Sequence, residues 1–205
     1  MTVAADPLEM VYMLQHEIKK HFKGREIRRI TDPTGRRAAV LVLLFEKENT
    51  YHILFTKRTN KVRHHKGEVS FPGGVYYEGD RTLETTAHRE TFEEIGVGKD
   101  AIDILGELNE TRTVTSNYIV SAFVGYMDYS RVNYKLHEAE IDELIEVPLP
   151  VLLDRNNFRE ELYSHAGELH PVYFYHYKQH VIWGATARIL KQLLDLIAPL
   201  FVSSS

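Results

Sequence analysis

Three glutamates, Glu90, Glu93 and Glu94, stand three and four residues apart in the stretch RETFEEIGV. Side chains at that spacing share one face of a helix, so the three carboxylates converge on a single patch. Like charges so placed repel, and Arg89, one turn before Glu93, offsets only part of the repulsion. A hard divalent cation would cancel the rest, because Mg²⁺ takes carboxylate oxygens and commonly bridges to substrate phosphates. A solvated acidic helix face is the plainer reading of any lone glutamate triplet. The flanking order favours chemistry: the turn Phe71-Pro72-Gly73-Gly74 precedes the carboxylates and Gly96 stops their helix. Gly73 and Gly74 lack a Cβ, so the backbone there can come close to a metal or a phosphate. Just upstream, Lys57, Arg58, Arg63 and Lys66 supply cations. An arginine fork can grip phosphate oxygens in pairs, although loops of this composition are usually solvated linkers.

The stretch from Gly74 to Val97 resembles the signature of the Nudix hydrolases, G-x5-E-x7-R-E-U-x-E-E-x-G-U. Gly74 opens it, Arg89-Glu90 stands at R-E, and Glu93-Glu94-Ile95-Gly96-Val97 stands at E-E-x-G-U. Two positions depart. Asp80 replaces the first glutamate and lies one residue further from Arg89 than the pattern asks, with Glu78 as its competitor. Thr91 stands where the pattern has a large aliphatic residue.

A second likeness adjoins the first. Leu54-Phe55-Thr56-Lys57-Arg58-Thr59, then Arg63, Gly67 and Phe71-Pro72-Gly73-Gly74, is similar to L-L-T-x-R-[SA]-x3-R-x3-G-x3-F-P-G-G of the coenzyme A pyrophosphatase branch. Only Phe55 and Thr59 depart from it. The stretch from Ile182-Trp183-Gly184 to Leu190 extends the likeness toward the C-terminus.

The resemblance implies a Nudix-like α/β (α+β) fold, an α/β/α sandwich around a mixed sheet. It implies metal-dependent hydrolysis of a diphosphate bond in a nucleoside diphosphate derivative. The substrate would be coenzyme A or a derivative, split into adenosine 3′,5′-bisphosphate and phosphopantetheine. Mg²⁺ or Mn²⁺ would be held by Glu90, Glu93 and Glu94, with Gly73 beside them. Glu90, Glu93 and Arg89 would carry the catalysis, Arg89 by orienting the glutamates. A further glutamate would come from the segment 138–147, with Glu143 favoured by the branch's E-V-x-E pattern and Glu140 as the alternative. Lys57, Arg58, Arg63, Lys66 and Gly74 would contact substrate. ADP-ribose or a dinucleotide is the alternative substrate. A nucleotide-sensing domain without turnover and an interaction protein using its C-terminal helix are the other readings.

The 205 residues suffice for one domain with a core. We expect an N-terminal helical extension to residue 35, a core over 36–150, and a C-terminal hairpin and helix over 151–205. A net charge of −4 does not favour nucleic acid, so an anionic small molecule would need local cations or metal. The chain has no cysteine, which removes disulfides and thiolate metal sites and fits the cytoplasm. Neither a secretory leader nor a membrane span is visible, and a homodimer is compatible with the sequence. Four histidines between residues 165 and 180 lack zinc-ligand spacing.

The elements that must position these residues follow from periodicity. Apolar residues over 8–23 and 184–201 recur at helical spacing. Ala38–Phe45 and Tyr51–Lys57 read as paired strands across a polar turn, and Ile102–Leu108 and Tyr118–Met127 as later strands. The acidic helix should begin near Asp80 or Thr82 and turn Leu83, Ala87, Thr91 and Ile95 inward. Residues 148–154 read as the start of a short helix, 155–169 as a polar loop, and Pro171–Trp183 as a hairpin turning near Lys178-Gln179.

Overall fold

The computed structural model describes residues 7–59, 67–114, 116–165 and 168–202. In chain order these form α1 (Pro7–Phe22), β1 (Arg36–Lys47), β2 (Thr50–Arg58), β3 (Val69–Ser70), β4 (Gly73–Val75) and α2 (Leu83–Ile95). There follow β5 (Ile102–Glu107), β6 (Thr111–Arg112), β7 (Tyr118–Met127), β8 (Ile141–Pro148) and α3 (Leu149–Leu153). The chain closes with β9 (Phe158–His165), β10 (Glu168–Tyr177), β11 (His180–Trp183) and α4 (Gly184–Val202).

The central strand β1 explains the layering. Its apolar run is unbroken because both faces of the sheet are covered. Ala39, Leu41, Leu43 and Phe45 point to one side and pack with Ala87 and Ile95 of α2. Val42 and Leu44 point to the other, where they join Ile18 and Phe22 of α1 and Leu190, Leu193 and Ile197 of α4. Strand β1 pairs parallel with β7 and antiparallel with β2 and β4, so the sheet is mixed. Its backbone order is β3-β2-β1-β7-β5, with β8 added beside β2. The fold is thus an α/β/α sandwich, as the resemblance implied.

Positive φ at Glu48 and Asn49 makes the tight β1–β2 turn. The hairpin at Lys178-Gln179 also stands where expected, with Tyr177 opposite His180. One expectation fails: residues 155–169 are not a loop throughout. Phe158–His165 forms β9, paired along its length with β10. Its sequence, FREELYSH, carries no inward apolar alternation, because most of the strand is exposed. Partner pairing, not burial, makes it a strand. Likewise most of β8 lies in the acidic segment 138–147, where apolar Ile141, Ile145 and Val147 are buried between exposed Asp142 and half-buried Glu143 and Glu146.

The apolar face of α4 is spent inside the molecule. Ala187, Leu190, Leu193 and Ile197 are fully buried, so the main apolar stripe of the helix packs against the core.

Candidate active site

The acidic helix starts at Thr82, not Asp80: the Thr85 N–H donates to Thr82 Oγ1 at 3.1 Å. It ends at Gly96, whose φ of 75° is left-handed and whose N–H reaches the Phe92 carbonyl at 2.9 Å. Thr86, Ala87, Thr91, Glu94 and Ile95 are its buried residues. Thr91 can occupy an aliphatic position because its hydroxyl donates to the Ala87 carbonyl at 2.7 Å. Glu94 was expected on the acidic stripe, yet it is only 4% exposed.

The paired glycines face this helix. The Gly73 N–H donates to Glu94 Oε2 at 3.1 Å. A Cβ on Gly73, where φ is 152°, would lie 2.3 Å from the Ala39 carbonyl oxygen, so only glycine fits. A Cβ on Gly74 would lie 2.4 Å from Glu90 Cδ, so the missing side chain is the space that the Glu90 carboxyl fills. Strand β4 holds both glycines by pairing with Ala39 and Val40 of β1.

Arg89 ties the carboxylates together. Its Nη1 lies 2.8 Å from Glu90 Oε1 and 2.9 Å from Glu93 Oε2. Its Nε and Nη2 donate to Asp80 at 2.8 and 3.0 Å. Asp80 is buried and also accepts from the Thr86 hydroxyl at 2.9 Å. It therefore anchors the arginine, while Glu78 is exposed in the preceding 3-10 turn. That turn, followed by Arg81 at a φ of 62°, takes up the extra residue before Arg89.

Electrostatics separates these groups. The Arg89 hydrogen bond holds Asp80 below the usual carboxylate range, against the effect of burial. Burial pushes Glu90 up, and Arg89 only partly offsets it. Burial pushes Glu94 up to about 8; Gly73 and Arg58 oppose this, and the charges of Glu90 and Glu140 add to it.

Of the expected cationic residues, Arg58 and Lys57 are described, whereas Arg63 and Lys66 lie outside the described residues. Arg58 Nη1 is 3.7 Å from Glu94 Oε1, and Nη2 is 3.4 Å from Glu140 Oε2. Lys57 turns instead to Glu143, at 3.5 Å. His180 Nε2, brought in by β11, lies 3.3 Å from the other Glu143 oxygen. So Glu140 has its charge near Glu90 and Glu94, and Glu143 is engaged by Lys57 and His180. A register shift between Lys57 and Arg58 in the β2–β8 pairing produces this split. Nothing in the residue pattern announced it.

A cavity of roughly 1100 Å³ opens elsewhere, at the N-terminal end of α2. Arg29, Arg37, Thr82, Glu107, Glu110 and Phe123 are among its walls, and none of the three helix glutamates belongs to it. Two of its charge pairs are already made, Arg29 with Glu107 and Arg37 with Glu110.

The donor set suits a hard cation. Carboxylate oxygens from Glu90, Glu93 and Glu94 are the ligands that Mg²⁺ and Mn²⁺ prefer. The glycine pair leaves room for them on the side where Glu90 lies. As the side chains stand, no three acidic or histidine groups among the described residues are gathered tightly enough to hold an ion. Glu93, with its side chain 55% exposed, is drawn outward to Arg89.

Comparison with known proteins agrees with this geometry. The chain is 34% identical over 170 residues to the uncharacterized Nudix hydrolase NudL of Photorhabdus laumondii, across 83% of this chain and 89% of that protein. It is 34% identical over 160 residues to Nudix hydrolase 22, chloroplastic, of Arabidopsis thaliana, across 76% of this chain and 53% of that protein. The crystal structure of a MutT/nudix family protein from Enterococcus faecalis matches with a TM-score of 0.56 at 12% identity, over 96% of this chain and 76% of that one, a likeness of fold. A family model described as NUDIX domain matches residues 35–166. On that model and the 34% identity to NudL, the chain belongs to the NUDIX family.

Proposed function

We propose that this Nudix pyrophosphohydrolase cleaves the diphosphate of coenzyme A or a close derivative, releasing adenosine 3′,5′-bisphosphate and phosphopantetheine. One observation carries the hydrolytic part of the reading: Glu90 and Glu94 converge on the Gly73-Gly74 turn, with Arg58 beside them. The choice of coenzyme A rests on the motif running from Leu54 to Gly74.

Glu90, Glu93 and Glu94 would hold Mg²⁺ or Mn²⁺. Such an ion neutralises diphosphate charge and lowers the pKa of a bound water. Arg89, fixed from behind by Asp80, keeps Glu90 turned toward the site, and Glu93 would leave its contact with Arg89 to join the ion. Arg58 grips an oxygen of the diphosphate with its fork. Glu140, whose carboxylate is 43% exposed and shares this neighbourhood, accepts the proton of the attacking water. Glu143 holds Lys57, which would contact the substrate. The Gly73 N–H fixes Glu94 Oε2 and leaves Oε1 for the ion.

The test is product analysis. Purified protein with Mg²⁺ or Mn²⁺ is incubated with coenzyme A, ADP-ribose and a dinucleoside polyphosphate, and products are identified by mass. Release of adenosine 3′,5′-bisphosphate from coenzyme A is expected. Hydrolysis of ADP-ribose without coenzyme A would overturn the substrate assignment. Nucleotide binding without turnover would overturn the enzyme mechanism.

A further inference from the structure

Arg58 occupies an unusual position. Its backbone is bonded on both sides to one dipeptide: its N–H donates to the Glu68 carbonyl at 3.0 Å, and its carbonyl accepts from the Gly67 N–H at 3.1 Å. The neighbouring Thr59 N–H reaches the Glu140 carbonyl at 2.8 Å, across the register shift that breaks the β2–β8 ladder. The stem of the side chain is therefore rigidly mounted. The tip is not well satisfied. Its contacts to Glu94 and Glu140, at 3.7 and 3.4 Å, are longer than a good charge-assisted hydrogen bond. Its Nε is buried and has no hydrogen-bond partner among the described residues. A buried donor without a partner is costly, and a fork with one idle prong is poised to exchange partners.

The atoms at stake matter. Glu94 gives Oε2 to Gly73, so Oε1 is the oxygen it can offer a cation, and that oxygen faces Arg58. A guanidinium and a hard ion cannot both take it, because the ion binds at contact distance. We propose that Arg58 competes with the divalent cation for Glu94 and is handed over to the substrate diphosphate, so that one side chain couples the two binding events. The inference rests on the metal and diphosphate reading above. Once the ion holds Glu94, the fork keeps only its long contact to Glu140 and its idle Nε. Two diphosphate oxygens can take Nε–H and Nη2–H as a bidentate pair, which satisfies the idle Nε and draws the fork off Glu140. The same exchange frees Glu140 to receive a proton. By linkage, whatever draws Arg58 away tightens the cation, and the cation in turn favours the diphosphate.

Binding without nucleotide tests the first half. Mn²⁺ is titrated into wild-type protein, Arg58→Gln and Arg58→Lys, read by loss of the free-ion EPR signal. The glutamine variant should bind Mn²⁺ about fivefold more tightly, and the lysine variant, which keeps the charge, close to wild type. Unchanged or weaker binding in Arg58→Gln overturns the competition. If wild-type protein binds no Mn²⁺, the metal reading itself falls, which is a different result from an indifferent variant. A second readout needs no altered fold. The Arg58 Nε–H resonance of wild-type protein, assigned by its absence in Arg58→Lys, should shift when Mg²⁺ alone is added. It should shift again when methylenediphosphonate follows. A resonance that ignores Mg²⁺ overturns the competition, and one that ignores the diphosphonate overturns the handover.

Discussion

Glu94 and Glu110 are the same residue, buried to nearly the same extent, 4% and 6% exposed, yet the protein treats them in opposite ways. Glu110 sits beside the cavity at the start of α2. One of its oxygens accepts from Arg37 at 2.8 Å and Ser121 at 3.2 Å, and the other from the Ile30 N–H at 2.6 Å. Burial pushes it up, but these partners outweigh burial and bring it below the ordinary range. Glu94 has one backbone donor and a distant guanidinium, so burial wins and it rises to about 8. The contrast separates two uses of a buried carboxylate. A structural one is saturated by fixed donors. One held for chemistry is left short of partners, and that shortage is the affinity it offers to a ligand.

Substitution at the two sites should expose the contrast most strongly. Glu94→Gln is expected to lower turnover about a hundredfold or more, because an amide is a poor ligand for a hard ion. The same change should raise the melting temperature measured without metal, since it removes a carboxyl that is ionised when unfolded and costly to bury when folded. Mg²⁺ should raise the melting temperature of wild-type protein and not of the variant. Glu110→Ala should do the reverse. Breaking its pair is expected to cost about 2–3 kcal/mol of stability, less than a fully enclosed pair because Arg37 keeps some solvent access. Turnover per folded molecule should stay near wild type. Denaturant melts and active-site-normalised rates check both. A Glu94→Gln protein that keeps full turnover would erase the distinction.

Asp80 extends the comparison to a carboxylate that is structural in its bonds and acts on the site through Arg89. Asp80→Asn should lower kcat by about ten- to a hundredfold with little change in KM, because Arg89 loses its anchor and the glutamates their orientation. Its effect on pH dependence follows from the direction of the shift. The folded-state value is depressed, so Asp80 contributes stability above its unfolded value near 4, and this is lost as pH falls through the folded value. Asp80→Asn should therefore flatten the acid limb of the stability profile and leave the neutral region parallel to wild type. Glu110, depressed as well, adds to the same limb. Acid titration of the melting temperature in the two single variants measures each share.

What the sequence made legible follows from how local each cause is. Helix α2, its Gly96 stop and the hairpin at Lys178-Gln179 are written in short-range spacing, and they stand as expected. Strand β7 matches its expected limits because its apolar residues are almost all buried. Strand β9 was illegible because its partner, not its composition, makes it a strand. The site divides in the same way. Glu90 and Glu94 facing the glycines follow from helix geometry and the missing Cβ atoms. That Asp80 would anchor Arg89 depends on a 3-10 turn and a left-handed Arg81, which no periodicity encodes. The grouping of Arg58 with Glu140, apart from Lys57 with Glu143, depends on a register shift between strands distant in sequence. The saturation of Glu110 draws on residues 30, 37 and 121, a network assembled only by the fold.

The smallest effect concerns the helix that joins the two regions. Thr82 caps the cavity end of α2 through a hydrogen bond to the Thr85 N–H, and Glu90 and Glu94 lie two to three turns further on. Thr82→Ala should cost about 1 kcal/mol, the usual value of a lost cap. The cap fixes only the first turn, whereas Asp80, Arg89 and the glycine pair fix the carboxylates. Fraying at the first turn should therefore stop short of Glu90. The melting temperature should fall by a few degrees while kcat and Mn²⁺ affinity stay at wild-type values. If both changed in proportion to stability, the two ends of α2 would form one cooperative unit, and a saturated end could not be separated from an under-partnered one.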